Sequence, residues 1–204
     1  MSLDSYIAKQ FSHPEGVGGQ LITFVMNRQN RPLYEETIRL LPLSDVDSVL
    51  DIGCGNGYVL SMIAERSGCM LTGIDISTSI IDAASRRNHS FVANGRMKLI
   101  RQDIGKTSFD DCSFSKAYTI NTVYFWENLS GTMAEIRRIL KPKALFINTF
   151  YSIETLARLS HTQFGYKQFT LDQLTGEGTD AGFTVNVVPI LNGVAYSVLY
   201  HRVD

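Results

Sequence analysis

In the stretch VLDIGCGNGY, Val49 to Tyr58, three glycines fall within five positions, with an apolar run on either side. Gly53, Gly55 and Gly57 give up side chains where a first strand turns into a first helix. Bare backbone there lets a ligand approach closely, and N–H groups of the helix start point into the cleft. In open α/β sheets that cleft, at the carboxyl ends of the strands, is where ligands bind. Asp75 ends the next strand, 20 residues after Gly55. A carboxylate at that point accepts both hydroxyls of an adenosine ribose and opposes a 2′-phosphate; the lesser alternative is that it simply caps the following helix alongside Ser77. A dinucleotide calls for G-x-G-x-x-G, whereas this loop reads G-C-G-N-G and carries acidic Asp51 just ahead of it, where a pyrophosphate is disfavoured. A cationic, phosphate-free adenosine ligand tolerates that carboxylate and is attracted by it.

The elements that must hold these residues follow from the apolar pattern. Short β-rich runs alternate with amphipathic ones from about Val46 onward, which is the signature of βαβ units. Strands are predicted over 47–52, 70–76, 96–103, 115–120 and 144–150, and helices over 58–68, 77–88 and 132–140. Gly68 and Pro142 stand as stops, and Ser77 as an N-cap. Thr170 and Gln173 form a capping box ahead of a helix that stops at Gly182. Asn192-Gly193 between two β-rich runs signals a closing hairpin. The expected fold is α/β, a Rossmann-like, seven-stranded, mostly parallel sheet with a C-terminal antiparallel hairpin and helices on both faces. Residues 1–204 read as one domain, with 1–42 a helical flank or lid on a 43–204 core. In that flank Gly16, Gly18 and Gly19 precede a helix with Leu21, Phe24 and Val25 on one face. Pro32 opens a second helix of about 9 residues carrying Tyr34, Thr37 and Leu41.

With loop and elements in place, the sequence resembles the class I S-adenosylmethionine-dependent methyltransferases, of the small-molecule, methyltransferase type 11-like kind. VLDIGCGNGY looks like their first motif and GIDIS (73–77) their second, with the ribose acid at Asp75. RQDI (101–104) looks like the motif whose Asp103 and Ile104 flank the adenine. FSKAYTINTVYFWEN (114–128), EIRRILKPKALFI (135–147) and DAGF (180–183) match later motifs in order. The resemblance runs from about Asp47 to the C-terminus. It implies S-adenosyl-L-methionine as cofactor and S-adenosyl-L-homocysteine as product, with binding by Asp51, Gly53, Cys54, Gly55, Gly57, Asp75, Ile76, Asp103, Ile104 and Asn121. The usual Lys-Pro-Gly-Gly turn is here Lys141-Pro142-Lys143-Ala144. The fourth motif reads Ile120-Asn121-Thr122-Val123-Tyr124 instead of Asn-Pro-Pro-Tyr, which argues against a nucleic acid base or a protein glutamine as acceptor.

Methyl transfer from a sulfonium is an in-line displacement, so holding the acceptor behind the methyl group supplies most of the catalysis, and few catalytic side chains are obligatory. The catalytic residues are left open. Tyr124, Trp126 and His13 are candidates for the acceptor pocket, with Phe125 completing an aromatic trio. That trio can wall an apolar acceptor, cup a cationic one, or simply pack the core. The amides of NRQNRP (27–32) can serve the cofactor's aminoacyl end or a helix end. The 19 Lys+Arg against 20 Asp+Glu leave a net charge of −1 and no broad field for nucleic acid or anionic lipid. No apolar run approaches a membrane span, and no leader is evident. Cys54, Cys69 and Cys112 have neither paired nor ligand spacing, and the four histidines are scattered, so reduced thiols, a cytoplasmic location and no metal are expected. Two rivals stand beside a methyltransferase with a small-molecule acceptor: a non-catalytic S-adenosylmethionine-binding protein and, with less support, an NAD-dependent oxidoreductase.

Overall fold

A computed structural model of the chain describes residues 16–158 and 166–204, with side chains from residue 27 onward. Seven strands form one sheet in the order β3-β2-β1-β4-β5-β7-β6. They are β1 (Ser48–Ile52), β2 (Met70–Asp75), β3 (Met97–Arg101), β4 (Phe114–Ile120), β5 (Leu140–Tyr151), β6 (Phe183–Ile190) and β7 (Ala195–Arg202). The first five run parallel, and β7 is antiparallel to both β5 and β6. Parallel strands covered on both faces are apolar almost throughout, and four of the five residues of β1 are buried accordingly.

Helices α1 (Gly16–Leu40), α2 (Tyr58–Ala64) and α3 (Thr78–Arg87) accompany one face of the sheet. There Leu41, just beyond α1, and Leu60, Ile63 and Ile81 pack with Val49, Leu71, Met97, Tyr118 and Ile147. A short α4 (His89–Ala93) follows α3. The other face is covered by α5 (Leu129–Ile139) and α7 (Leu171–Asp180), through Met133, Ile136 and Leu174 against Leu50, Ala117, Phe146 and Val198. The five-residue α6 (Ile153–Ala157) follows β5. Strand order reverses between β1 and β4, which opens a crevice at their carboxyl ends.

Several local expectations are met. The Thr170–Gln173 capping box is present in full, and Gly182 takes the left-handed conformation just past α7. The hairpin closes the sheet, its loop passing through positive φ at Leu191, Asn192 and Gly193. Others are corrected. The two helices foreseen in the flank are one continuous α1, with Pro32 inside it. Pro32 is exposed while Leu33 and Thr37 are buried, so the donor that proline lacks is missing on the solvent side, where water can satisfy the freed carbonyl. Gly16, Gly18 and Gly19 belong to the first turns of that helix, and Leu21, Phe24 and Val25 lie outside the described side chains. Ser77 occupies the N-cap position of α3 without capping it. Its hydroxyl meets Ser79 Oγ at 3.0 Å, and its backbone N–H donates to Asp75 Oδ1. Helix α2 stops at Ala64, ahead of Gly68, and α5 begins at Leu129, capped by the side chain of Asn128. Helix α5 passes directly into β5, whose register against β4 shifts between Leu140 and Leu145 and so absorbs Pro142 and Lys143.

Candidate functional site

A cavity of about 1050 Å³ opens at the carboxyl ends of β1 and β4, under α1. The glycine loop forms one wall. Gly53, Gly55 and Gly57 have φ of 71°, 53° and 72°, a region that side chains rarely enter, so all three positions favour glycine on conformation alone. They differ in surroundings. A Cβ on Gly53 would overlap the Thr122 side chain, and one on Gly57 would overlap Asn88. A Cβ on Gly55 would meet no protein atom within 4 Å. Gly55 is therefore the bare cradle that faces the cavity.

The loop's own amides are used internally. Gly53 N and Cys54 N both donate to Ile74 O at 2.9 Å, Gly57 N donates to Cys54 O at 3.0 Å, and Gly55 N donates to Asp75 Oδ2 at 3.3 Å. Asp75 thus ties the loop to the end of β2 and, through Ser77 N at 3.0 Å, to the start of α3.

Asp51, at the floor of the same cavity, is 3% exposed and accepts a hydrogen bond from Tyr118 Oη at 2.8 Å. Burial pushes its carboxyl up to about 7; the Tyr118 hydroxyl works against that, and the neighbouring Asp75 adds to it. The negative charge assigned to Asp51 from sequence is accordingly only partly present near neutral pH. Cys54 is buried with its thiol pushed up, so it stays protonated.

The remaining cofactor candidates line the cavity as well: Ile76, which is half exposed, Asp103, Ile104 and Asn121. Asp103 Oδ1 accepts from Gly105 N at 2.8 Å, which shapes the turn after β3. Asn121 has a φ of 57°, a conformation that asparagine tolerates better than most residues. Its backbone N–H donates to Thr149 O at 2.9 Å, anchoring the end of β4 against β5.

On the acceptor side, Tyr124, Phe125 and Trp126 all line the cavity, from a single 3-10 turn (Val123–Phe125) and the residue after it. Tyr124 and Trp126 are buried, and Trp126 stacks on Phe146 at 6.5 Å between ring centroids. The Tyr124 hydroxyl donates toward Asn121 Oδ1 at 3.2 Å and accepts from Tyr151 N at 2.8 Å. Burial raises its pKa well above the ordinary phenol value. His13 lies outside the described residues.

Helix α1 roofs the cavity with Asn27, Asn30 and Tyr34, which at spacings of three and four share one helical face. Tyr151 Oη donates to Asn30 Oδ1 at 2.7 Å, Tyr34 Oη to Asn27 Oδ1 at 3.5 Å, and Asn27 Nδ2 to Asn56 Oδ1 at 3.4 Å. The roof is thereby joined to β5 on one side and to the glycine loop on the other. Residues with no sequence signal are Tyr118, Tyr151 and Lys167. Lys167 lines the mouth and donates to Trp126 O and Glu127 O at 2.9 and 3.0 Å. Among the described residues no cluster of three metal-ligating side chains exists, and no helix is long and apolar enough to cross a membrane.

Residues 49–143 match the family model described as Methyltransferase domain. The chain is 36% identical over 107 residues to the sterol 4-C-methyltransferase strm-1 of Caenorhabditis elegans, a match covering 52% of this chain and 32% of that protein. The chain spans about a third of the length of the curated relatives it matches. In fold it is similar to a Haloferax volcanii protein solved in complex with the Trm112 methyltransferase activator. The TM-score is 0.80 at 17% identity, covering 99% of both chains. It is also similar to geranyl diphosphate C-methyltransferase from Streptomyces coelicolor A3(2), with a TM-score of 0.73 at 15% identity over 93% of this chain and 85% of that one.

Proposed function

We propose that this chain is a class I S-adenosylmethionine-dependent methyltransferase that transfers a methyl group to a small, largely apolar acceptor held under α1. The observation that carries the reading is the Gly55 cradle. It is a left-handed glycine with open space at its Cβ, tied by its amide to a carboxylate at the end of the next strand. The donor and acceptor set around it suits S-adenosylmethionine and suits a dinucleotide poorly. Asp51 lines the cavity at the loop, where a pyrophosphate would need amides or cations, and the amides of Gly53, Cys54, Gly55 and Gly57 are already bonded within the protein.

In this reading Gly53, Cys54 and Gly55 give the backbone wall, Asp75 accepts the ribose hydroxyls, and Asp103 and Ile104 flank the adenine. Asp51 and the amides of Asn27 and Asn30 meet the aminoacyl end, and Gly57 and Asn121 keep the loop and the end of β4 in shape. When bound, S-adenosylmethionine supplies a methyl group on a cationic sulfur, open to in-line displacement. Tyr124, Phe125 and Trp126 exclude water from the acceptor's side and hold it in line, which is where most of the rate enhancement arises in such a transfer. Tyr124 serves as wall and not as base, because its hydroxyl is pinned between Asn121 and the Tyr151 backbone and its pKa is raised. The acceptor therefore brings its own reactive electron pair. Sterol methyltransferases among the similar proteins are named for an apolar acceptor, which agrees with the aromatic wall. The proposal includes one functional unit with α1 as its lid, and a cytoplasmic protein whose three cysteines are free.

Incubation with methyl-labelled S-adenosylmethionine and a panel of isoprenoid, sterol and polar metabolites tests this. Label is expected in an apolar product; tight S-adenosylhomocysteine binding with no transfer to any compound would favour a non-catalytic binder, and NAD binding a dehydrogenase. Asp75→Ala is expected to weaken S-adenosylhomocysteine at least about tenfold, since it removes a charged acceptor of two hydrogen bonds. Unchanged affinity would refute the ribose assignment.

A further inference from the structure

The three aromatic side chains on the acceptor side of the cavity use their polar atoms differently. The Tyr124 hydroxyl is engaged twice, toward Asn121 Oδ1 at 3.2 Å and by Tyr151 N at 2.8 Å. Phe125 has no polar atom to offer. Trp126 is 6% exposed and borders the cavity, yet its indole N–H donates to no acceptor among the described residues. Nor is that nitrogen one of the polar atoms sealed inside the described core without a partner. A buried tryptophan ordinarily finds an acceptor for its N–H, because removing the group from water without replacement is costly. Besides protein, Trp126 borders the cavity, so the acceptor belongs to a molecule held there.

The direction of that N–H is fixed by the fold. The indole ring stacks on Phe146, with centroids 6.5 Å apart and planes at 25°. The Trp126 backbone N–H donates to Val123 O at 3.2 Å, and its carbonyl accepts from Lys167 Nζ at 2.9 Å. Little rotamer freedom is left for a ligand to remove, which favours selectivity. We propose that Trp126 is a specificity-determining residue whose indole N–H binds an oxygen atom of the methyl acceptor, so that the acceptor class is an apolar molecule bearing a hydrogen-bond-accepting oxygen. The inference rests on the proposed methyltransferase reading and narrows its substrate class. Indole N–H is a donor only, so it takes a hydroxyl, ether or carbonyl oxygen alike and discriminates against a hydrocarbon of the same shape. The apolar remainder of the acceptor lies against Phe125 and the ring of Tyr124, whose hydroxyl is already engaged.

Trp126 is the only tryptophan in the chain, so an isotope-labelled sample of the full chain gives a single indole N–H resonance to follow. The probes are the geranyl and octyl skeletons, each as primary alcohol, methyl ether and hydrocarbon, added at saturating S-adenosylhomocysteine. Before any probe is added, the indole N–H should exchange readily with water. Alcohol and ether should move its resonance downfield, slow its exchange, and bind about three- to tenfold more tightly than the matching hydrocarbon, as one neutral hydrogen bond allows. Trp126→Phe keeps a ring against Phe146 and lacks the donor, so alcohol and ether should fall to the hydrocarbon's affinity. Retained S-adenosylhomocysteine affinity in that variant reports an intact fold; should the variant not fold, the parent's exchange and affinity series decide alone. Equal affinity across the three forms of each skeleton, no binding by any oxygenated probe, slow exchange before a probe is added, or a preference for oxygen that survives Trp126→Phe would overturn the proposal. A downfield shift with S-adenosylhomocysteine alone would assign the N–H to the cofactor, overturning the proposal and leaving the methyltransferase reading in place. Failure of the parent chain to bind S-adenosylhomocysteine would refute that reading, and the proposal with it.

Discussion

Substituting Gly55 by alanine separates what the loop does for folding from what it does for binding. The native φ of 53° costs an L-residue about 1–2 kcal/mol, and the new methyl meets no protein atom within 4 Å, so no packing penalty adds to it. For a chain of this size that loss lowers Tm by about 2–8 °C. Gly53→Ala carries the same conformational cost plus an overlap with the Thr122 side chain, and overpacking adds about 1–3 kcal/mol, for a total of about 2–5 kcal/mol. Stability and affinity should therefore rank the two differently. Gly55→Ala should be the more stable, while its methyl projects into the cavity and weakens S-adenosylhomocysteine by at least about tenfold, or about 1.4 kcal/mol. Urea unfolding of both variants gives the first ranking, and calorimetry at a temperature where both remain folded gives the second. Gly55→Ala binding within about twofold of the parent, or losing as much stability as Gly53→Ala, would refute the assignment of Gly55 as the cradle.

Two further outcomes follow from strain and charge elsewhere. Exposed Lys143 has a φ of 64°, so Lys143→Gly should relieve more strain than it adds in unfolded-chain entropy and raise stability by about 0.5–1 kcal/mol; a lower urea midpoint would contradict this. Burial alone would raise the Asp47 carboxyl, but Lys116, Ser115 and Ser44 together hold it down to about 2. A depressed carboxyl contributes stability above its unfolded value near 3.8 and loses it as pH falls from there through about 2. Lys116→Met leaves Asp47 buried without its cation, which should cost about 3 kcal/mol at neutral pH and move acid unfolding to higher pH; circular dichroism across an acid titration checks both, and an unmoved acid midpoint would be inconsistent with the pair's role.

The βαβ order and the terminal hairpin were legible because each strand announces itself by an apolar run with a turn residue at its end. The positions of Gly53, Gly55, Gly57 and Asp75 were legible because the loop's chemistry is local in sequence. The continuity of α1 was not. Pro32 ordinarily marks a helix start, and only burial of Leu33 and Thr37 against the sheet shows that the missing donor falls on the solvent side. Tyr118 was equally hidden. Read alone it is one more aromatic in a core strand, and its link to Asp51 is a property of register between strands 67 residues apart. The Tyr151–Asn30 bond, spanning 121 residues, is of the same kind. Sequence patterns report what one element must bury, whereas these pairs depend on which elements become neighbours.

The same distinction bears on the double reading of Asp75. From sequence, the residue either caps a helix or receives a ribose. In the structure one oxygen accepts from Ser77 N at the head of α3 and the other from Gly55 N in the loop. A carboxylate offers about four lone-pair directions, so these two backbone bonds do not by themselves preclude the proposed bonds to ribose hydroxyls. The helix-start role is then compatible with the proposed receptor role. The bonds to α3 and to the loop fix the carboxylate's orientation before any ligand arrives, and the entropy of ordering it is met by folding instead of binding. The same bonds hold the loop against β2, so the bare edge at Gly55 and the acid beside it keep a constant separation. In the proposed function, a crossover built this way would seat the adenosine without committing any side chain to the methyl group. The choice of acceptor is thereby left to the aromatic turn after β4 and to the roof that α1 lays across it.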